Sequence, residues 1–400
     1  MVRSGDLKMK SNKRRKICVI TGYRSDYTKL KSVLARLRDN ESVELKIVAF
    51  GAHVSGDSGN SITNILEDGF KVSHRCAAPV EGDSPFSMTR SMGLSIIELS
   101  SVLEKMEPDL VLLCADRYEI LAAAVCASVG NLPIAHIQGG ELSGTIDETI
   151  RHAITKLSHI HFPSTEQSKD IIIQLGEDPE YVFNVGCPAI DHIVSIDSVA
   201  RKDIKNLPDL KGITLNPQED YFILIQHSVT TRYEDAGKDM ATTLNALQKI
   251  GIQTLLVYPN PDAGSERIVR AIRKHQNKHQ ESSVIKDCYK NMSFDSYLNL
   301  LKNASCLVGN SSSGIREAQV FGTPVVNIGS RQDDRERSLN VIDIPHDESE
   351  IIATVQKQLQ HGRYKNGTDL YGNGTAAEQI DKHLTSLSIN DLVQKKFNMG

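Results

Sequence analysis

Two successive series of short apolar runs, separated by helical patterns, dominate this 400-residue sequence. The first series reads "KICVITG", "LKIVAFG", "DLVLLCAD", "LPIAHIQGG", "HIHFPS" and "YVFNVGCP", and the second reads "YFILIQH", "TLLVYPN", "SVIKDC", "SCLVGNS" and "PVVNIG". Strands that are apolar throughout are buried on both faces, which is typical of parallel sheets covered by helices. The sequence therefore predicts an α/β protein with two Rossmann-type, doubly wound domains that face each other across a cleft.

The boundaries between these units are marked by changes in composition. A polar segment with two prolines, 197–219, separates the two series and is predicted to be a linker between domains at 16–196 and 220–374. A last helical pattern in 375–400, strongest from Thr375 to Val393, is expected to pack back on the first domain. The chain opens with the basic run "KMKSNKRRK", from Lys8 to Lys16, and we interpret 1–15 as a flexible terminus.

Composition excludes several classes of protein. The net charge of −4 gives no reason to expect nucleic acid or an anionic membrane as a partner. No run reaches the ~18 apolar residues of a membrane span. The seven cysteines include no C-x-x-C pair, which favours free thiols in a reducing, cytoplasmic compartment. No G-x-G-x-x-G, H-E-x-x-H or D-x-D pattern occurs, so neither a nicotinamide nor a metal is predicted.

Polar residues follow the predicted strands at the positions where each strand ends. Open parallel sheets bind ligands at the carboxyl ends of their strands, so these side chains are expected to line the cleft. They are Arg24, Asp116, Arg117, His136, Gln138, His227, Ser311, Ser312, Ser313 and Arg331.

The stretch "GNSSSGIREAQ" predicts a phosphate site. It leads from a strand into a helix, and the N–H groups at a helix N-terminus attract phosphate. One serine suffices to cap a helix, so three serines followed by Gly314 favour close approach of a ligand. Glu317 follows in the first helical turn, where it accepts hydrogen bonds from sugar or ribose hydroxyls or only complements the helix dipole. The P-loop lysine is absent.

Acidic residues that could transfer protons accompany the predicted phosphate site. Asp116 is either a cleft residue or a helix cap, and "HIQGGELSGTIDETIRHAITKL" brings Glu141 and Asp147 close to a glycine-rich turn. Asp147 also opens a helix and could serve its dipole alone. Cations for a diphosphate, combined with carboxylates and His227 for proton transfer, indicate a nucleotide-sugar enzyme but leave the reaction open.

The chain also resembles the hydrolysing UDP-N-acetylglucosamine 2-epimerases, including the epimerase half of the bifunctional animal enzyme of sialic acid synthesis. The resemblance extends from about Lys16 to Lys395. The motifs that carry it are "TGYRSDYTKL", "ADRYE", "HIQGGELSGTIDETIRHAITKLSH", "GCPAID", "QHSVTT", "PNPDAGS" and "GNSSSGIREAQVFGTPVVNIGSRQ".

This resemblance implies a GT-B-like fold and a reaction without a cofactor. UDP is eliminated from UDP-N-acetylglucosamine, and water adds with inversion at C2 to release N-acetylmannosamine, a precursor of sialic or related nonulosonic acids. It also implies a homodimer or homotetramer. Asp116 and Asp147 would be catalytic carboxylates. The residues that would hold the nucleotide sugar are Arg24, Arg117, His227, Ser311, Ser312, Glu317 and Arg331.

Gln138 departs from the family pattern, because many relatives carry glutamate there. An amide holds water or a hydroxyl but does not exchange a proton near neutral pH. Asp116, Asp147 or Glu141 must then act as the base, or the sugar differs. A non-hydrolysing epimerase, a glycosyltransferase and a nucleotide-sugar sensor remain alternatives.

Overall fold

Two parallel six-stranded sheets, each covered by helices on both faces, form the framework of the protein. A computed structural model describes residues 14–54, 61–76, 82–196, 198–365, 369–389 and 391–399. Residues 8–13 of the basic run lie outside the described residues, whereas Arg15 and Lys16 at its end begin the first strand, so the prediction of a flexible terminus is wrong for Arg15. No helix among these described ranges has both the length and the apolar character needed to cross a membrane.

The first sheet has the strand order β3-β2-β1-β4-β5-β6. Its strands are β1 Arg15–Thr21, β2 Val43–Phe50, β3 His74–Cys76, β4 Leu110–Cys114, β5 Ile134–Ile137 and β6 Ile160–Phe162. The helices of this half are α1 Arg24–Asp39, α2 Ile62–Glu67, α3 Pro85–Met106, α4 Tyr118–Val129, α5 Ile146–Leu157, α6 Glu166–Gln174 and α7 Pro188–Ser195. All described pairings in this sheet are parallel.

The second sheet repeats the same topology with the order β12-β11-β10-β7-β8-β9. Its strands are β7 Phe222–Ile225, β8 Thr254–Val257, β9 Ile285–Tyr289, β10 Cys306–Gly309, β11 Val325–Ile328 and β12 Val341–Ile344. The helices that follow are α8 Ala236–Ile250, α9 Ser265–His279, α10 Phe294–Asn303, α11 Ser312–Ile315, α12 Glu317–Phe321, α13 Glu348–His361 and α14 Ala376–Ser386. The predicted fold class, two doubly wound α/β units, is therefore confirmed.

The apolar strands are buried on both faces, as their composition requires. In β1, Ile17 and Val19 join one core cluster with α1 and α14, while Cys18 and Ile20 join another with α3, α4 and α5. One expected strand is wrong: "YVFNVGCP" makes only a single bridge, between Val182 and His161. Pro179 and a short 3-10 turn precede it, so the chain enters too abruptly to extend the sheet.

The C-terminal helix α14 lies against the first half. Ala376, Ala377, Ile380 and Leu384 are buried in the same cluster as β1 and α1. The Arg15 guanidinium donates to the Leu384 and Leu387 carbonyls. The helix ends at Ser386, earlier than its pattern predicted, because the sequence after Leu387 ("SIND") is rich in weak helix formers. The domain boundaries at 16–196, 197–219 and 220–374 stay a prediction.

Candidate active site

A cavity lies between the carboxyl edges of the two sheets. Its lining comes from the ends of, and the segments after, β1, β2, β4, β5, β7, β8, β9, β10 and β11, so both halves contribute to it. The sequence-predicted residues on its wall are Arg24, Asp116, Arg117, Asp147, His227, Ser311, Ser312, Ser313, Glu317 and Arg331. Gln138, Glu141, His136 and Gly314 do not line it.

Two arginines of the first half reach across to the second. Arg24 opens α1, and its guanidinium donates to the carbonyls of Lys290 and, at 3.2 Å, Tyr258, at the ends of β9 and β8. Arg117 precedes α4 and is buried; it bonds Glu119 at 2.9 and 3.0 Å and Asp262 at 3.0 Å. These contacts hold two positive charges at the seam, the boundary where the two halves meet. The charge of Arg117 is neutralised by carboxylates, whereas Arg24 bonds only neutral carbonyls.

Arg331 and His227 provide donors from the second half. Arg331 donates to the Asn310 carbonyl at 3.2 Å and lies 3.5 Å from Asp147. The His227 Nδ1 accepts from the Asn260 N–H at 3.1 Å. Burial, reinforced by the positive charges of Arg331 and Arg24, lowers the pKa of His227 well below its usual value. The ring is therefore neutral and carries its proton on Nε2, which makes it a hydrogen-bond donor.

The serine turn, Ser311 to Ser313, both caps a helix and lines the cavity. Ser311 caps α11 by accepting from the Ser313 N–H at 3.3 Å, while the Ser313 hydroxyl pairs with Tyr297. Ser312 makes no cap contact and lines the cavity. Gly314 is needed for packing, because a Cβ there would lie 2.8 Å from Val325 and 2.9 Å from Leu307. Packing of the chain itself therefore accounts for this glycine, and close approach of a ligand to Gly314 stays a prediction.

Glu317 is the most unusual polar residue of the cavity. It begins α12, is only 6% exposed, and its Oε2 is fully buried without a hydrogen-bond partner. A buried charged oxygen without a donor costs free energy in the ligand-free protein. Such a group, on a cavity wall, is suited to accept hydrogen bonds from the hydroxyl groups of a ligand.

Asp116 is held ionised by cations that surround it. Arg151 donates to its Oδ2, and Arg335 lies 4.0 Å from the same atom. Burial alone would raise the pKa of Asp116, but the charges of Arg151, Lys29 and Arg335 outweigh it and hold the pKa well below its usual range. This carboxylate stays negative at every physiological pH.

Asp147 is in the opposite electrostatic environment. Burial and the negative charge of Asp116 raise its pKa, and the nearby Arg331 offsets only part of that rise. The Thr145 hydroxyl accepts from the Asp147 N–H at 3.1 Å and thereby caps α5, so the Asp147 side chain itself is free to face the cavity. Two carboxylates on one wall therefore have pKa values pushed apart, which is how acid and base roles are commonly separated.

Glu141 belongs to a buried network beneath the wall. It is 3% exposed, accepts from Arg316 and lies 3.3 Å from Arg335. Burial would raise its pKa, but Arg316 and Arg335 together lower it. Since Arg316 and Arg335 come from the second half, this ion-pair network joins the two halves behind the cavity.

His136 and Gln138 also lie below the wall. The His136 Nε2 contacts the Ala115 carbonyl at 2.8 Å, and burial lowers the pKa of His136 to about 3. Gln138 has a left-handed backbone at φ 63° and donates to the Cys187 sulfur at 2.9 Å, while its Oε1 has no partner. Direct substrate contact by either residue is therefore not favoured by its placement.

Several functional neighbours carry no signal in the sequence. Lys29 lies within the regular pattern of α1, yet it is buried and contributes charge to Asp116. Arg335 stands in "DDRER", which reads as a solvated charge run, but it is 6% exposed. Asp262 of "PNPDAGS" pairs with Arg117.

Comparison with known proteins identifies the family. The model of the family "UDP-N-acetylglucosamine 2-epimerase" matches residues 35–385. The chain belongs to this family. Among its relatives is the UDP-N,N'-diacetylbacillosamine 2-epimerase (hydrolyzing) of Legionella pneumophila, 34% identical over 384 residues, with 96% of this chain and 99% of that protein covered.

One further relative and one solved structure extend this comparison. The UDP-N-acetylglucosamine 2-epimerase of Neisseria meningitidis is 31% identical over 361 residues, covering 90% of this chain and 92% of that protein. The solved epimerase of Methanocaldococcus jannaschii, in complex with UDP-GlcNAc and UDP, superposes with a TM-score of 0.77 at 19% identity, covering 92% and 99% of the two chains. This structural likeness supports the GT-B-like fold.

Proposed function

We propose that this family member is a hydrolysing 2-epimerase. It would convert UDP-N-acetylglucosamine, or a related nucleotide-linked N-acetyl sugar, into the free 2-epimer and the nucleoside diphosphate. With UDP-N-acetylglucosamine the product is N-acetylmannosamine, for sialic or nonulosonic acid synthesis. The observation that carries this proposal is the pair of cavity carboxylates, Asp116 and Asp147, whose pKa values are shifted in opposite directions beside a set of cations.

The diphosphate is assigned to the donors at the seam. Arg24 and Arg331 come from opposite halves and lie on the cavity wall with His227 and the serine turn. Arginine binds phosphate oxygens with charge-assisted, often bidentate hydrogen bonds, and the neutral His227 adds an Nε2–H donor. Arg117 is already paired with Glu119 and Asp262, so its contribution is to hold the seam together. Glu317 is assigned to the ribose hydroxyls.

The first chemical step is an elimination. Asp147, the stronger base because its pKa is raised, removes the proton from C2 of the sugar. The C–H electrons form the C1–C2 double bond as the C1–O bond breaks and UDP departs with its electron pair. Arg24, Arg331 and the serine turn stabilise the charge that develops on the leaving diphosphate. Binding of that diphosphate also competes for Arg331, which raises the basicity of Asp147 further.

The second step adds water to the unsaturated sugar. A proton returns to C2 on the face opposite to the one it left, which leaves positive charge at C1, and water attacks C1 and loses a proton. Asp116 is fixed in its ionised form, so it suits electrostatic stabilisation of that positive carbon. The atoms balance as nucleotide sugar plus water giving free sugar plus nucleoside diphosphate.

Hydrolysis is supported by the names of similar proteins. The Legionella relative and one from Campylobacter jejuni, 32% identical over 332 residues, are both described as hydrolysing enzymes that act on diacetylbacillosamine nucleotides. The sugar of this chain is therefore proposed as an N-acetyl sugar with either a 6-hydroxyl, as in N-acetylglucosamine, or the 6-deoxy pattern of bacillosamine.

A product assay in deuterated water tests the proposal. The protein is incubated with UDP-N-acetylglucosamine or UDP-N,N'-diacetylbacillosamine alone, and the products are followed by NMR. Free UDP with a free 2-epimer that carries deuterium at C2 is expected for one of the two. An epimerised nucleotide sugar would instead indicate the non-hydrolysing reaction. No change without an added acceptor would indicate a glycosyltransferase, and binding without turnover a sensor. Asp147→Asn is the matched inactive control.

A further inference from the structure

The proposed reaction leaves one proton without a source. Asp147 takes the proton from C2, and a different group must return a proton to C2 from the opposite face. Asp116 is held ionised and has no proton to give. Gln138 is an amide, which does not exchange a proton near neutral pH, and Glu141 lies beneath the wall in contact with Arg316. The acidic motif and its amide therefore do not supply this proton.

Lys29 is a buried cation on the cavity wall whose charge is not neutralised by contact. Its side chain lines the cavity, and the residue is only 8% exposed. Among the residues that the structure describes, none forms a hydrogen bond or an ion pair with its ammonium group. Arg117 on the same wall is paired with Glu119 and Asp262, and buried lysines are rare without such partners. The Lys29 ammonium is therefore available to a group bound in the cavity.

The strand order places Lys29 and Asp147 on opposite sides of Asp116. Lys29 is on α1, which follows β1, and Asp147 is on α5, which follows β5. Asp116 follows β4, and β4 lies between β1 and β5 in the first sheet. A sugar ring held over Asp116 therefore has Asp147 on one side and Lys29 on the other.

Lys29 also shares a helix with a residue that we assigned to the leaving diphosphate. Arg24 begins α1, and Lys29 follows it by five residues, which is about 7.5 Å along the helix axis. In an anti elimination, the diphosphate and the C2 proton leave from opposite faces of the ring. A proton that returns to C2 on the face opposite to Asp147 thus arrives on the diphosphate face, where α1 already contributes Arg24.

We propose that Lys29 is the general acid that returns the proton to C2, an assignment that rests on the proposed function. The ammonium gives a proton to C2, and the electrons of the C1–C2 double bond form the new C–H bond. The positive charge left at C1 is stabilised by Asp116 and attacked by water. That water gives a proton to the Lys29 amine, which restores the ammonium. The step balances as unsaturated sugar plus water giving the free 2-epimer.

Lys29→Met tests this assignment by separating the two steps. The nucleotide sugar that the wild-type protein converts is incubated with the variant in deuterated water, and quenched samples are followed by NMR. UDP should still form, whereas the free 2-epimer should form at least ~100-fold more slowly, the scale of one general acid. The unsaturated sugar should accumulate in its place. Circular dichroism and calorimetry with UDP verify that the variant is folded and binds.

Two further variants separate proton donation from charge and from general effects on α1. Lys29→Arg keeps the positive charge, but a guanidinium does not release its proton in proteins, so it should lose the free 2-epimer as Lys29→Met does. Lys31→Met is the matched control on the same helix. Lys31 pairs with Asp68 at 2.7 Å and does not line the cavity, so this variant should turn over like the wild-type protein.

The possible contrary results point to different errors. Turnover restored by Lys29→Arg would show that only the charge of Lys29 matters. Undiminished formation of the free 2-epimer by Lys29→Met would exclude Lys29 from the second step, and loss of UDP formation in that variant would move it to the first; each of these results overturns the inference alone. A wild-type protein that forms no free 2-epimer would overturn the proposed function as well.

Discussion

Glu317→Gln is predicted to have effects of opposite sign on binding and on stability. The substitution keeps the shape of the side chain and removes its charge. In the ligand-free protein the Glu317 Oε2 is buried without a donor, so the neutral amide is easier to bury than the carboxylate. In the complex the carboxylate is the expected acceptor for the ribose hydroxyls, so the amide should bind more weakly.

The magnitudes follow from these two environments. Hydrogen bonds to charged groups contribute about 1.5–3 kcal/mol, and neutral ones about half as much. Weakening two such bonds therefore costs about 2–3 kcal/mol, or ~30–150-fold in the Kd for UDP. The buried, unpartnered charge costs the free protein at least ~1 kcal/mol, and the substitution should raise the free energy of unfolding by about that amount.

Calorimetry with UDP and with 2′,3′-dideoxy-UDP isolates the contact. The wild-type protein should prefer UDP, and Glu317→Gln should abolish most of that preference while it changes the Kd of the dideoxy nucleotide little. This comparison of two proteins with two nucleotides is a double-mutant cycle, which attributes the lost binding free energy to the contact between Glu317 and the ribose hydroxyls. Glu378→Gln, on an exposed carboxylate of α14 with a side chain 69% exposed, is the control for loss of one negative charge.

The reasoning would be refuted by equal losses of affinity for the two nucleotides. That result would mean that Glu317 acts on the shape of the site and does not contact the ribose. A fall in the free energy of unfolding, measured by urea titration, would also contradict the claim that the Glu317 carboxylate is unfavourably buried without ligand.

Four further predictions test other parts of the site and its support. Arg331→Ala should weaken UDP binding by ~10-fold or more, the scale of a charge-assisted bond, and unchanged calorimetric affinity would remove Arg331 from the site. Asp116→Asn should lower kcat at least ~100-fold, the scale of losing one electrostatic stabiliser of the transition state, while UDP still binds; near-normal turnover would defeat its catalytic role. The pKa of Asp147 is raised and the reaction requires its ionised form, so kcat/KM should increase as the pH rises through that pKa. Asp147→Asn should abolish this increase of kcat/KM with pH. Lys395→Met should destabilise the fold by about 1–3 kcal/mol and move acid unfolding to higher pH, whereas Lys396→Met should have little effect.

The last of these predictions depends on a cluster at the end of α5. The Lys395 ammonium contacts the Glu177 carboxylate and donates to the Lys156 carbonyl at 2.8 Å. Glu177 is 1% exposed and also accepts from Lys156 and His161. Burial would raise its pKa, but His161, Lys156 and Lys395 lower it to about 2. Its contribution to stability is present above the unfolded pKa of about 4.3 and is lost as pH falls towards about 2.

The fold and the polar rim of the cavity could be predicted because both depend on local patterns. Uniformly apolar runs indicate strands covered on two faces, and the residues after such strands collect at one edge. The missed strands β3 and β12 lie at sheet edges, where "HRC" and "VIDI" carry charged residues that a fully buried strand would not tolerate.

The network beneath the cavity could not be predicted, because it depends on contacts between distant segments. Glu141 meets Arg316, which lies 175 positions further along the chain, and no spacing rule connects them. The same contact explains why Glu141 is a poorly placed base although its motif is acidic. Gly314 shows the converse case, in which a residue expected to admit a ligand is required instead by the side chains of Val325 and Leu307.

The packing of α14 has a consequence for how the protein is made. Ala376, Ala377, Ile380 and Leu384 complete the core around β1 and α1, yet they are synthesised roughly 190 residues after the first half ends. At about 5–20 residues per second, a ribosome needs roughly 10–40 seconds to deliver them. During that interval the nascent first half exposes the apolar side chains of β1 and α1 that α14 later covers, and exposed apolar surface of this kind favours aggregation of a partly folded chain.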